Sequence, residues 1–156
     1  TARVILVAAI VMAISTVTVF ATTDIGSYIL NELQDHAIFQ SLFESDEKFD
    51  NTINIGYVPE NFTLTMESKN DGQCMFIYES NNNLHFTIHI VKNGNQLGID
   101  SEDSQKTIIQ SNNKELIIYK KDNGDIRIIW CDLSYTYTID GNIPLEESLM
   151  IAENIK

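Results

Sequence analysis

His85 and His89 are the residues whose types and spacing first suggest chemistry. Two histidines four apart on a helix can hold one metal ion. Here they lie in Leu84–Ile90, where Leu84, Phe86, Ile88 and Ile90 alternate with polar residues as on a half-buried strand. On a strand the two rings share a face but stand ~13 Å apart at ~3.3 Å per residue, whereas a zinc–nitrogen bond is about 2.0–2.1 Å. The pair therefore reads as two solvated positions, and His36 as an ordinary polar residue. Asp100, Glu102 and Asp103 lack the alternating acids, central glycine and distal glutamate of a calcium loop. The sequence holds no G-x-S-x-G elbow, no phosphate-cradling glycine loop, and no CxxC or HExxH pattern. No catalytic, cofactor-binding or metal-ligating residue is expected, no cofactor, and no enzyme activity. The remaining candidates are aromatic. Trp130, Tyr135 and Tyr137 could line a ligand groove, although aromatics at strand spacing also suit a core or cross-strand pairs.

Such residues need strands to hold them, and most of the chain after Gly56 alternates accordingly. Pro59 fixes its own φ and keeps Val58 extended, and Asn61 tolerates the left-handed conformation of a corner. Phe62, Leu64 and Met66 are predicted to share one face. Cys74–Glu79 is apolar on both faces, as in a central strand. Asn93-Gly94 and Asp122-Asn123-Gly124 are hairpin signals. Short strands are expected at Leu97–Ile99 and Thr107–Gln110, and longer ones at Leu116–Lys121, around Ile126–Trp130 and around Tyr135–Ile139. Pro144–Ile155 reads as a closing helix: proline at its start, Glu146 and Glu147 in the first turn, and an apolar stripe of Leu145, Leu149, Ala152 and Ile155. Cys74 and Cys131 are too few for a disulfide scaffold; buried free thiols and one bridge are both open.

The beginning of the chain differs. Val4–Ala21 is eighteen residues without a charge, close to the ~20 that a membrane-crossing helix needs. Residues 24–45 repeat Ile25, Ile29, Leu33 and Ala37 every four and read as a second helix, followed by an acidic linker at 45–54. The chain has 10 basic and 22 acidic residues, and only Arg3 precedes Asp24. That single Arg places the N-terminus in the cytoplasm by the positive-inside bias. The acidity argues against nucleic acid and against anionic headgroups, and suits solubility. A cleaved signal peptide is the other reading, with Val19-Phe20-Ala21 as its cleavage site. The opening at Thr1 rather than Met suggests an upstream segment.

The order of pieces resembles a known family. Tyr57-Val58-Pro59-Glu60-Asn61-Phe62, Ile128-Ile129-Trp130, and Gly141 through Ile155 resemble the extracytoplasmic region of the Gram-positive domain-of-unknown-function family 4367. Asn61 stands where that family usually has glycine. The motifs are structural, so the resemblance implies an architecture and a context, that of anti-sigma-factor-associated membrane proteins, and no catalytic residue.

The expected fold is α+β. Its parts are a transmembrane helix at 1–22, a juxtamembrane helix and linker at 23–55, and an extracytoplasmic domain at 56–156. In that domain a twisted antiparallel sheet of about six strands is covered by the C-terminal helix and the juxtamembrane helix. The expected function is a non-enzymatic, single-pass sensor or regulatory domain on the outer face of the cell membrane, with a sigma factor (through the upstream segment) and a protease as partners. The alternative is an exported module that binds peptide, glycan or lipid.

Overall fold

Alternating sequence becomes alternating burial in the computed structural model, which describes residues 17–22, 27–33, 36–44 and 53–156. The elements in order are β1 (Val17–Thr22), β2 (Ser27–Glu32), β3 (His36–Ser41), β4 (Phe62–Asn70), β5 (Gln73–Ser80), β6 (His85–Lys92), β7 (Gln96–Asp100), β8 (Ser104–Ser111), β9 (Lys114–Lys121), β10 (Ile126–Cys131), β11 (Tyr135–Gly141) and α1 (Leu145–Glu153). Seven strands form one antiparallel sheet in the order β4-β5-β6-β11-β10-β9-β8, and four form a second, β1-β2-β3-β7.

One face of the large sheet is a continuous apolar layer. Phe76, Phe86, Ile88, Ile128, Trp130 and Ile139 meet Ile151 and Ala152 of α1 and the flanking Ile143 and Ile155. Fully burying a side chain of this size contributes about 1.5–3 kcal/mol, so this layer dominates stability. Pro144 precedes the helix, and Glu146 and Glu147 occupy its first turn, as predicted. No basic residue lies in its last turn. Lys114 from β9 supplies that charge, its Nζ donating to the carbonyls of Ala152 and Ile155 at 2.7 and 2.9 Å. The domain's two ends meet where Ile55 bridges Ile155, and a Cβ on Gly56 would stand 2.9 Å from the Asn154 carbonyl oxygen.

The other face is covered on one side only. Tyr28, Leu30, Ala37, Phe39 and Ile99 of the small sheet pack on Ile117, Tyr119, Ile129 and Cys131. Polar ties hold the rim: the Tyr28 hydroxyl donates to Glu115 at 2.5 Å, and Lys106 pairs with Glu32 at 2.6 Å.

Several expectations are corrected. Val17–Ala21, the end of the predicted membrane helix, is strand β1 paired with β2. Residues 4–16 of that helix, and 45–52 of the linker, lie outside the described residues. No described helix is long and apolar enough to cross a membrane. The predicted juxtamembrane helix is β2 and β3, an antiparallel pair in which the Leu33 N–H donates to the His36 carbonyl. The four-residue repeat does not mark the buried face: Tyr28, Leu30, Ala37 and Phe39 do, by strand alternation, while Ile29 lies on the other face and Leu33 is exposed. A second sheet thus takes the place given to that helix, and the large sheet has seven strands rather than about six.

Asn93-Gly94 forms a turn with Gly94 at φ +101°, but it does not make a hairpin. Strand β6 already has β5 and β11 on its two edges, so β7 cannot pair with it. Buried Asn93 fixes the exit: its side chain donates to the Asp132 carbonyl at 2.8 Å and accepts from Thr136 at 3.0 Å. The chain then crosses to the small sheet. Met66 does not share a face with Phe62 and Leu64, because the β4–β5 register shifts between Leu64 and Met66. Asn61 is not among the left-handed residues; Asn83, Asp103, Asn112 and Asn113 are.

Candidate functional site

The aromatic candidates lie under the helix. Trp130, Tyr135 and Tyr137 are at most 9% exposed. The Trp130 and Tyr137 rings stack at 4.9 Å, and Tyr135 meets Tyr137 edge-on. The Tyr137 hydroxyl donates to Asp132 at 2.7 Å, and burial beside that carboxylate pushes its pKa well up. Lys114 Nζ stands 5.4 Å from the Trp130 ring centre. These three side chains are packed into the core beneath α1.

Open surface lies on the opposite face, where the small sheet stops. Its last strand, β7, sends Ile99 into the core shared with β9 and β10, and a cavity partly lined by β6 and β11 lies at each of its ends. The first, about 360 Å³, is lined by Gln96 and Leu97 of β7 together with Gln73, His89, Val91, Lys92, Thr136 and Thr138. The second, about 260 Å³, is lined by Asp100 of β7 together with His85, Thr87, Lys121, Asp125, Arg127 and Asp140. Strand alternation explains this polarity: the residues between the buried Phe86, Ile88 and Ile90 must face away from the helix.

The two histidines share this face as expected, but each lines a different cavity. His89 Nε2 is 2.9 Å from the Gln73 amide oxygen. Burial lowers its pKa, and the charge of Asp140 pulls back only in part. In the second cavity Arg127 pairs with Asp140 through Nε, and Lys121 pairs with Asp100 at 2.5 Å. The Lys121 hydrogen bond holds the Asp100 carboxyl below its usual range. Asp125 is held by Asn123 and faces no basic partner among the described residues, and Lys92 faces no acidic one. The acidic Asp100–Asp103 segment is a turn in which the Glu102 N–H donates to Asp100. Among the described residues no three His, Cys, Asp or Glu side chains converge as metal ligands.

Cys74 and Cys131 form no disulfide and are buried, one in each core, so the sheet itself lies between them. Burial pushes their thiols up to about 11 and about 12. Such thiols are inert rather than nucleophilic. What the open face offers is hydrogen-bond donors and acceptors, two ion pairs and a free strand edge. That arrangement can bind a ligand. The sequence reading named His85 and His89 but missed the groove, because the small sheet that borders it was read as helix.

The sequence profile of the family described as domain of unknown function (DUF4367) matches residues 52–155. That segment runs from just before the Ile55–Ile155 bridge to the end of the bridge itself, and it takes in all seven strands of the large sheet, β7 and α1. No curated protein matches the chain.

Proposed function

We propose, for a chain that belongs to the DUF4367 family, a non-enzymatic sensory role on the outer face of a membrane, within an anti-sigma-factor-like envelope signalling protein. The feature that supports this most is the charge-free run Val4–Ala21, whose last residues would serve two uses. In the sequence these residues complete the charge-free run from Val4, about 27 Å long as a helix and close to the ~30 Å hydrocarbon core. In the fold they are β1. The two uses exclude each other. With β1 paired, residues 4–16 would reach only about 20 Å as a helix, short of a span. The pairing of the small sheet is therefore coupled to how much chain a membrane can take up. This is a two-state element that ligand binding or proteolysis can bias. The output would pass to a segment upstream of Thr1 that restrains a sigma factor.

A second reading, an exported binding module with a cleaved signal peptide, is favoured by the half-open sheet face. It carries a cost in the fold: cleavage after Ala21 removes all of β1 except Thr22.

Cell fractionation of the whole chain in a Gram-positive host tests both. The sensory reading expects an intact chain that stays in carbonate-washed membranes, with residues 53–156 open to protease added outside the cells. A product in the medium that begins at Thr22 would give the case to the exported module. Intact chain in the cytosol would contradict both.

A further inference from the structure

We propose that the outer edge of β7 takes up an extended peptide as an added antiparallel strand, with the peptide's positive end at Asp125 and its negative end at Lys92. This deepens the sensory reading, and rests on it, by naming a ligand class. Strand β7 ends the small sheet: one edge pairs with β3, and the other pairs with no strand among the described residues. Among the described residues, none of the backbone hydrogen bonds made outside the strand ladders involves residues 96–100. A row of free N–H and C=O groups is a template for another strand.

The ground beside that edge suits a strand. It is the uncovered part of the large sheet, where Ile77 and Val91 are half-buried and Met66 is 51% exposed. Alternate side chains of an added strand would face this floor while its backbone pairs with β7. The edge is five residues long, about 16 Å, and joins the two cavities.

Charge sets the polarity. In the cavity at the Asp100 end, Arg127 and Lys121 are already paired with Asp140 and Asp100, which leaves Asp125 as the carboxylate without a basic partner. In the cavity at the Gln96 end, Lys92 is the only lining residue of fixed charge among the described residues. A strand antiparallel to β7 begins at the Asp125 end and finishes at the Lys92 end. A short peptide with free termini has that same polarity, positive at its start and negative at its finish.

The test uses the purified whole chain and two labelled peptides, KTVTVTE and its reversed-charge partner ETVTVTK, followed by fluorescence anisotropy. The expected result is saturable binding of KTVTVTE, about tenfold tighter than ETVTVTK. The double variant Lys92→Glu, Asp125→Lys should invert that preference while its circular dichroism stays unchanged. N-methylation of alternate peptide amides along one edge should abolish binding, and along the other edge should leave it intact. Equal affinity for both peptides, no binding of either, or tolerance of methylation on both edges would overturn the proposal. So would a dimer joined through β7, or binding that appears only once residues 1–16 are removed; the edge would then belong to a second copy or to the chain's own N-terminal segment. None of these outcomes bears on the fractionation result, so the two proposals can fail separately.

Discussion

The two faces of the seven-stranded sheet are made by the same strands and carry different loads. On the helix side the inner strands carry apolar rows: Cys74, Phe76 and Tyr78 on β5; Phe86, Ile88 and Ile90 on β6; Ile126, Ile128 and Trp130 on β10. The edge strand β4 ends this layer with Glu67 and Lys69, opposite Phe76 and Cys74. On the other side Ile117, Ile129 and Cys131 sit under the small sheet, and beyond β7 the positions become His85, Thr87 and His89 on β6, with Thr138 and Asp140 on β11. A helix covers the apolar centre of one face, which opens only at the β4 edge. A four-stranded sheet covers half of a face whose other half carries polar groups. The helix side supplies the stability, and the second side has surface left over for recognition.

The largest expected effect tests the closed side. Trp130→Ala removes a ring that stacks on Tyr137 and lies beside Lys114, in a layer shared by the whole large sheet. A loss of about 3–5 kcal/mol is expected, read from the denaturant midpoint at unchanged m-value. A loss under 1 kcal/mol would mean that the face is not one core. Phe39→Ala makes a cavity of similar chemistry on the opposite side, where it stacks with Tyr28 at 4.9 Å. Its expected signature is local: amide exchange accelerates in β2, β3 and β7 while β5, β6 and β11 keep their protection. Acceleration spread evenly over both sheets would erase the distinction.

Alkaline titration probes both faces together. Burial, with neighbouring carboxylates, raises the pKa of Tyr28, Tyr119 and Tyr137. The unfolded chain gives up these protons near pH 10 and the folded chain does not, so the native state binds more protons above that pH. Stability should be full below about pH 10 and fall as pH rises further, with phenolate absorbance from these residues appearing only on unfolding. Normal ionisation near pH 10 in the folded protein would contradict their burial. The smallest effect belongs to His89. Its folded pKa is lowered from 6.5, chiefly by burial, so the unfolded state binds the proton first as pH falls. Stability should decline as pH drops through about 6.5 and level off below the folded value, and His89→Gln should flatten that slope.

Most of the large sheet was legible in the sequence, because period-two alternation and turn residues such as Asp122-Asn123-Gly124 report local structure directly. The closing helix was legible for the same reason: Pro144, the first-turn acids and the Leu149–Ala152 stripe all agree. The small sheet was not. The four-residue repeat through Ile29, Leu33 and Ala37 imitates a helix stripe, whereas the face that is buried is Tyr28, Leu30, Ala37 and Phe39, fixed by the pairing of β2 with β3 and of β3 with β7. The last of these joins positions about sixty residues apart, which no local pattern encodes. The face carrying Met66 was lost to a single bulge, and the destination of β7 to the occupied edges of β6. The open site follows from these long-range facts, so its histidines were visible and its borders were not.

Amide exchange in free β7, residue by residue, tests the central claim most directly, since that claim is an unpaired edge beside a half-covered sheet. Alternate amides between Gln96 and Asp100 should be slow, those donating to β3, and the intervening ones should exchange nearly as fast as an open chain. Uniform protection along all five residues would mean that the edge is already filled, and would contradict the account.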